Sequence, residues 1–351
     1  MERNQTLPII FGILIFVSLI CTGQTYAQHQ ATLPQSVPNN SISKENTITK
    51  IGAYPLLTDV QVIIDGLRAS GQKHIHRSNL YYKLAIAFAK MKMYPLALRC
   101  FYRSTRKIRN TQVATDSTVK NNFDLEAQLN KINEKIFQDS SRKAIAIFGD
   151  TILMNNIVAK GRSNVVKGEE ILKPFDDNKA SNAYGIIVHV KQPVRGKRKK
   201  IRLFHGDVGH TFITLIKYNT DESNVARTFG FYPHKSLPLA ATPLFPGTSA
   251  DFKNDALHDW DESVGKFITK EQFDLIIDLT RKYTRKRYHL SRNNCTDFGL
   301  NIASIAGIYI RDTKGKWLLG QGNDPADTGQ SIAEDKVTTS SGSLFICVEN
   351  Q

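Results

Sequence analysis

The hydrophobic period of the chain changes near residue 145, and this change restricts the fold more than any other feature. Upstream, apolar side chains recur at helical spacing: Leu56, Val60, Ile63, Ile64 and Leu67 share one face, and Leu125, Leu129, Ile132 and Ile136 share another. Downstream come short strand-like runs, Tyr184–Val190 (YGIIVHV), His210–Tyr218 (HTFITLIKY) and Ala226–Tyr232 (ARTFGFY). The last two flank NTDESN, a loop of turn residues, and so form a hairpin; GKRKK at 196–200 tops another, its charges solvating a turn or a sheet edge. The expected class is α+β, a helical bundle followed by an antiparallel sheet. At 351 residues the chain is long enough for two domains. Its 41% hydrophobic and 23% charged residues exclude a wholly disordered or collagen-like chain.

The single long apolar run lies at the N-terminus. Leu7–Ile20 (LPIIFGILIFVSLI) carries no charge, suits the core of a signal peptide, and is short of the roughly 20 residues a spanning helix needs. Thr25-Tyr26-Ala27 places small residues where a signal peptidase reads, although Glu2 offsets Arg3 in the n-region. Bulky Ile20 before Cys21 argues against a lipoprotein. We expect a signal peptide over 1–27 and export to the periplasm or exterior, with an uncleaved membrane anchor as the alternative. Residues 28–50, rich in Gln, Asn, Ser and Thr, read as a polar linker.

Residues 51–145 form the expected basic helical domain, with 16 Lys and Arg against 7 Asp and Glu in a chain of net charge +15. Within it Leu84, Ala85, Phe88, Tyr94, Ala97 and Phe101 allow two helices to approach at the alanines while the aromatic rings fill the gap. This segment resembles one tetratricopeptide repeat. Solenoids need about three repeats and no second good copy is visible, so a short bundle with one such hairpin is expected. Arg99, Arg103 and Arg106 fall on one helical face, suited to an anionic membrane or wall surface or simply to solvation. Nucleic acid is disfavoured as a partner, because no recognition motif is present and export is expected.

Residues 146–335 carry the chemistry. Thr269 with Gln272 signals a capped helix, with Ile268 and Phe273 at staple positions. A second helix opens at Asn293-Asn294-Cys295-Thr296-Asp297-Phe298 and turns Phe298, Ile302 and Ile305 inward. Cys295 thus sits at a helix N-terminus, where backbone N–H groups and the dipole stabilise a thiolate and a developing oxyanion. A nucleophilic cysteine needs an imidazole, and His210 begins a strand after Gly209, whose small size is expected to leave room for substrate. Asn294 is placed either to help hold the oxyanion or to cap the helix.

The pair GHTFITL (209–215) and NNCTDF (293–298), with His before Cys, resembles the circularly permuted papain-like group, which includes NlpC-like cell-wall peptidases and lecithin:retinol acyltransferase-like enzymes. The likeness spans roughly residues 180–310. It implies Cys295 as nucleophile and His210 as base, acting without metal or cofactor on amides, often in peptidoglycan peptides, or in acyl transfer. It also implies a third polar residue on the strand beside the histidine. If Tyr218 nearly faces Ala226 across the loop, residue 233 or 234 comes opposite His210, making His234 the candidate and Tyr232 and Asn219 its rivals.

Remaining features receive structural readings. Cys100 packs inward; Cys347 falls in a Ser/Thr-rich segment, 336–351, expected to be a flexible tail, and a Cys100–Cys347 disulfide stays open. His258-Asp259-Trp260-Asp261-Glu262 reads as a turn into the next helix rather than a metal site, since adjacent residues cannot all face one ion. Gly315–Gly329 reads as a glycine-rich loop over a cleft, with Trp317 placed to stack on substrate. The expected function is an exported cysteine-dependent amidase or peptidase acting on an envelope peptide. An acyltransferase or lipid hydrolase, and a non-enzymatic envelope adaptor, are the alternatives.

Overall fold

A computed structural model describes residues 59–70, 74–105, 125, 129, 164–198, 208–234, 240–317 and 320–349. The expected signal peptide, the polar linker and Arg106 lie outside the described residues.

The architecture is α+β, built on a seven-stranded antiparallel sheet with helices on both faces. Its strands are β1 (Asn164–Val166), β2 (Ser181–Lys191), β3 (His210–Asn219), β4 (Asn224–Pro233), β6 (Ala250–Asn254), β7 (Glu262–Ile268) and β13 (Phe345–Val348), in the spatial order β1-β6-β4-β3-β2-β7-β13. The short strands β5 (Gly247–Thr248) and β8 (Tyr288–His289) pair apart from it. Every residue of β3 is buried, which explains why His210–Tyr218 reads as a near-continuous apolar run: this strand is covered on both sides.

On one face lie α1 (His74–Lys90) and α2 (Tyr94–Thr105), joined by a short turn. Leu84, Ala85, Phe88, Tyr94, Ala97 and Phe101 are all buried, as are Val60, Ile64 and Leu67 of a helical segment over 59–69 and the helical residues Leu125 and Leu129. Their partners include the sheet itself: Phe212, Ile216, Tyr218, Phe345 and Cys347 belong to the same core. The boundary expected near residue 145 therefore does not separate two cores, because α2 closes on the strands through aromatic pairs, Phe101 with Phe345 at 5.4 Å and Tyr102 with Phe267 at 5.4 Å.

The opposite face carries α3 (Gly168–Leu172), α4 (Lys270–Tyr283), α5 (Cys295–Ile305) and α6 (Pro325–Ala333). Thr269 caps α4 in a full capping box with Gln272, as its spacing predicts. Phe273, Ile276, Phe298 and Ile302 pack on Ile213, Leu215, Val264 and Phe229.

Three expectations are corrected. Residues 336–351 are not a free tail: β12 (Val337–Thr339) pairs with β9 (Ile308–Ile310), and β13 forms the sheet edge on β7. The alternation in FICV buries Phe345 and Cys347 under α2; Cys100 and Cys347 are both free thiols in that core. The segment from His258 leads into strand β7, not a helix. Gly315–Gly329 is a hairpin, β10 (Lys314–Trp317) on β11 (Gly320–Asn323), followed by α6, rather than an open loop. Among the described residues no helix is long and apolar enough to cross a membrane.

Candidate active site

Two close approaches set the site's geometry. Gly299 of α5 faces Thr211 of β3, where an added β-carbon would lie 2.6 Å from the threonine methyl. The helix therefore sits tightly on the strand, tied by Thr211 Oγ1 to Thr296 Oγ1 at 3.1 Å. This brings Cys295, the first residue of α5, beside His210, the first residue of β3, close enough for each to shift the pKa of the other. Both are buried.

The second approach supplies the third polar residue. Asp255, directly after β6, accepts from His210 Nε2 at 3.0 Å and from the Tyr232 hydroxyl at 2.7 Å. β4 lies between β3 and β6, and Asp255 reaches across it at Gly230, where a β-carbon would collide with both His210 Nε2 and Asp255 Oδ2. The carboxylate is fully buried and its own backbone N–H donates to Thr228 O at 3.0 Å. With Nε2 engaged, Nδ1 is the imidazole nitrogen left for the thiol.

The electrostatics follow from these placements. Burial works against a charged His210, but the Asp255 carboxylate and the Cys295 thiol outweigh it and raise its pKa to about 9. Burial likewise opposes a thiolate at Cys295, and is overcome by His210, the Thr211 backbone and the Thr296 hydroxyl, which together lower its pKa. Both shifts run toward a thiolate–imidazolium pair. Cys100 and Cys347 behave in the opposite way: burial pushes Cys100 far up and Cys347 up to about 12.

Sequence reasoning missed Asp255, Gly230 and Tyr288. Tyr288, buried on β8, neighbours Cys295, and burial with this neighbour raises its pKa well above the ordinary value. The available signals were Gly230 inside an apolar strand, a mark of close backbone approach, and an acid directly after a strand.

His234 is not the third residue. It is exposed and pairs with Asp251 at 2.8 Å, because Tyr218 faces Asn224 rather than Ala226; that register puts Tyr232 beside His210, with ring centroids 4.1 Å apart. Asn219 lies at the far end of β3, bonded to Asp177. Asn294 serves as the cap: Oδ1 accepts from Asp297 N–H and Nδ2 donates to Leu290 O and Asn323 O, leaving its side chain committed away from an oxyanion. Gly209 has φ of +73° and abuts the Lys191 and Pro193 backbone, so the position requires glycine for the turn rather than for substrate room. Arg99 does not join Arg103 on a surface: it is buried, with its guanidinium 4.4 Å from the centre of the Tyr218 ring, whereas Arg103 is exposed. Trp317 falls in β10, but its side chain lies outside the described residues.

His189 has its own buried chain, Ser263–His189–Thr214–Thr228 across four strands, and burial lowers its pKa to about 3; it is a neutral packing histidine. Among the described residues no cluster of three or more His, Cys, Asp or Glu is arranged to hold a metal ion. No protein-family model matches the chain, and neither a curated protein nor a solved structure matches it.

Proposed function

We propose that the protein is a cysteine-dependent amidase or peptidase of the permuted papain-like type, exported and acting on an envelope peptide, with peptidoglycan peptide as the first substrate to test. One observation carries this reading: a cysteine at a helix N-terminus, its pKa lowered against burial by a neighbouring histidine that a buried aspartate holds. The chain order, histidine on a strand and cysteine on a later helix, agrees with the permuted arrangement.

The Cys295 thiolate attacks the carbonyl carbon, while neighbouring Tyr288 supplies a hydroxyl to donate toward the developing oxyanion. The C–N bond breaks as protonated His210 passes its proton to the leaving amine, giving a thioester. Neutral His210 then takes a proton from water, whose oxygen attacks the thioester and releases the acid and the thiolate. Asp255 stabilises the imidazolium that starts the first half-reaction and is formed again in the second.

Treating purified wall material with the wild type and with Cys295→Ala, then comparing released fragments by mass spectrometry, tests the reading. New amine and carboxylate ends with the wild type alone support it; identical fragments from both remove peptidoglycan as substrate. A second reading, acyl transfer or lipid hydrolysis by the same groups, draws on exposed Val208 and Leu257, each two residues from a site member, His210 and Asp255. Thioester and phospholipid substrates distinguish it.

A further inference from the structure

The turn between α1 and α2 contains a residue that the turn itself does not favour. α1 ends in a Schellman cap, with Met93 N–H donating to Phe88 O at 2.9 Å and Lys92 N–H to Ala89 O at 2.9 Å. The left-handed position of such a cap is most often glycine, since a β-carbon is crowded there. Here it is Lys92, with φ of +61°. Its side chain is only 19% exposed, and its Nζ donates to the Leu257 carbonyl at 2.5 Å and to the Asp259 carboxylate at 3.2 Å.

Leu257 and Asp259 belong to the loop that begins at Asp255. Between them stands His258, its ring 5.2 Å from that of His210 and 5.1 Å from that of Phe212. The loop is closed at its start by His258 N–H on Asp255 O at 2.8 Å and at its end by Asp261 N–H on Val190 O at 2.8 Å. Lys92 grips it between those two points, from outside the sheet.

We propose that Lys92 is a positioning residue for the Cys295 site: its ammonium ties the turn of the helical pair to the 255–261 loop, whose Trp260 also packs in the helical core, so that Asp255 stays on His210. The proposal rests on Cys295, His210 and Asp255 forming a working nucleophilic site. It gives the helical half of the chain a role in the chemistry, and it explains why a strained lysine occupies a position suited to glycine.

A positioning role and a simple charge effect differ in sign. The groups facing His210 are Asp255 and His258 from this loop, Tyr232 from β4 and Cys295 from α5; Tyr288 from β8 faces Cys295. Lys92 stands beyond them; burial lowers the pKa of His258 and His189, and the Lys92 charge adds to the lowering in both. Removing that charge alone makes the neighbouring imidazoles easier to protonate. Releasing Asp255 does the reverse, weakening protonation of His210 and so raising the Cys295 pKa.

The test uses the full chain as wild type, Lys92→Gly and Lys92→Arg. Alkylation of Cys295 by iodoacetamide is followed against pH with peptide mapping, and Tm is measured alongside. Glycine relieves the left-handed strain while losing the grip, so Tm should change little. Alkylation at pH 7 should fall about tenfold, with the reactive thiolate appearing at higher pH, and Lys92→Arg should restore most of it. An unchanged profile for Lys92→Gly overturns the proposal. So does a profile moved to lower pH, which marks charge alone, or a loss that follows a lowered Tm and is not restored by arginine. If wild-type Cys295 alkylates like a free thiol, the reading of the site fails, and the proposal falls with it; the wild-type curve alone reveals that case.

Discussion

Asp255→Asn keeps the shape of the His210 partner and removes its charge. In the wild type, burial disfavours protonated His210, and Asp255 at 3.0 Å with Cys295 reverses this, raising the pKa from 6.5 to about 9. That gap corresponds to about 3 kcal/mol favouring the protonated form in the fold. The folded pKa lies above the unfolded one, so the stabilisation is complete below pH 6.5 and is lost as pH rises through 9. Cys295, whose pKa is lowered, carries the opposite dependence. The stability comparison is therefore made in a Cys295→Ala background, where Asp255 supplies the main remaining contribution. There, Asp255→Asn should lower Tm by several degrees near pH 6, and the difference should close as pH approaches 10. In the presence of Cys295, the same substitution should slow iodoacetamide alkylation at pH 6.5 at least tenfold, by roughly the loss of thiolate. A Tm difference independent of pH, together with an unchanged alkylation profile, refutes the argument and leaves Asp255 a packing residue.

Gly230→Ala should separate His210 from Asp255, since the new methyl has no space between them; release of wall fragments should fall about a hundredfold, with about 1–3 kcal/mol lost to overpacking in urea unfolding. Arg99→Ala should cost about 2–4 kcal/mol by the same measurement, because it empties a buried place over Tyr218, while exposed Arg103→Ala should stay within about 0.5 kcal/mol. Glu262 is buried at the start of β7 with Oε2 lacking a hydrogen-bond partner, and burial raises its pKa to about 8. Its folded pKa lies above the unfolded 4.5, so stability falls as pH rises between them; Glu262→Gln should raise Tm at pH 9 and not at pH 4.

The strands and the two site members Cys295 and His210 were legible because each leaves a local pattern. The YGIIVHV, HTFITLIKY and ARTFGFY runs lie within β2, β3 and β4, and Asn294 with Asp297 announces the start of α5. Asp255 was not legible, because its role depends on a neighbour of a neighbour: it sits after β6, which pairs with β4, and reaches His210 only through Gly230. A two-residue error in hairpin register was enough to exchange Tyr232 for His234. Arg99 misled for a related reason: helical spacing places it opposite Ala97 and Phe101, but α2 is covered by α1 as well as by the sheet, and a guanidinium over a ring is an acceptable buried state. The Ser-rich end of the chain concealed a strand of four residues, too short to show a period of its own.

The members of the site differ in how firmly the fold holds them. His210 stands on β3, where every residue is buried, and Cys295 stands on a helix fixed by a capping box and by contact with Thr211. The β10–β11 hairpin supports that cap from outside, through Asn323 on Asn294 and Asp297. Asp255 alone begins a loop, although its charge does most to raise the pKa of His210, which in turn lowers that of Cys295. A site that works by charges placed before the reaction loses its advantage if one of them must be repositioned in each cycle. The ties on the 255–261 loop, from Thr228 and Val190 in the sheet and from Lys92 in the helical turn, supply the rigidity that a loop lacks. In this arrangement the helical pair and the site are one mechanical unit, although some two hundred residues separate Lys92 from Cys295 along the chain.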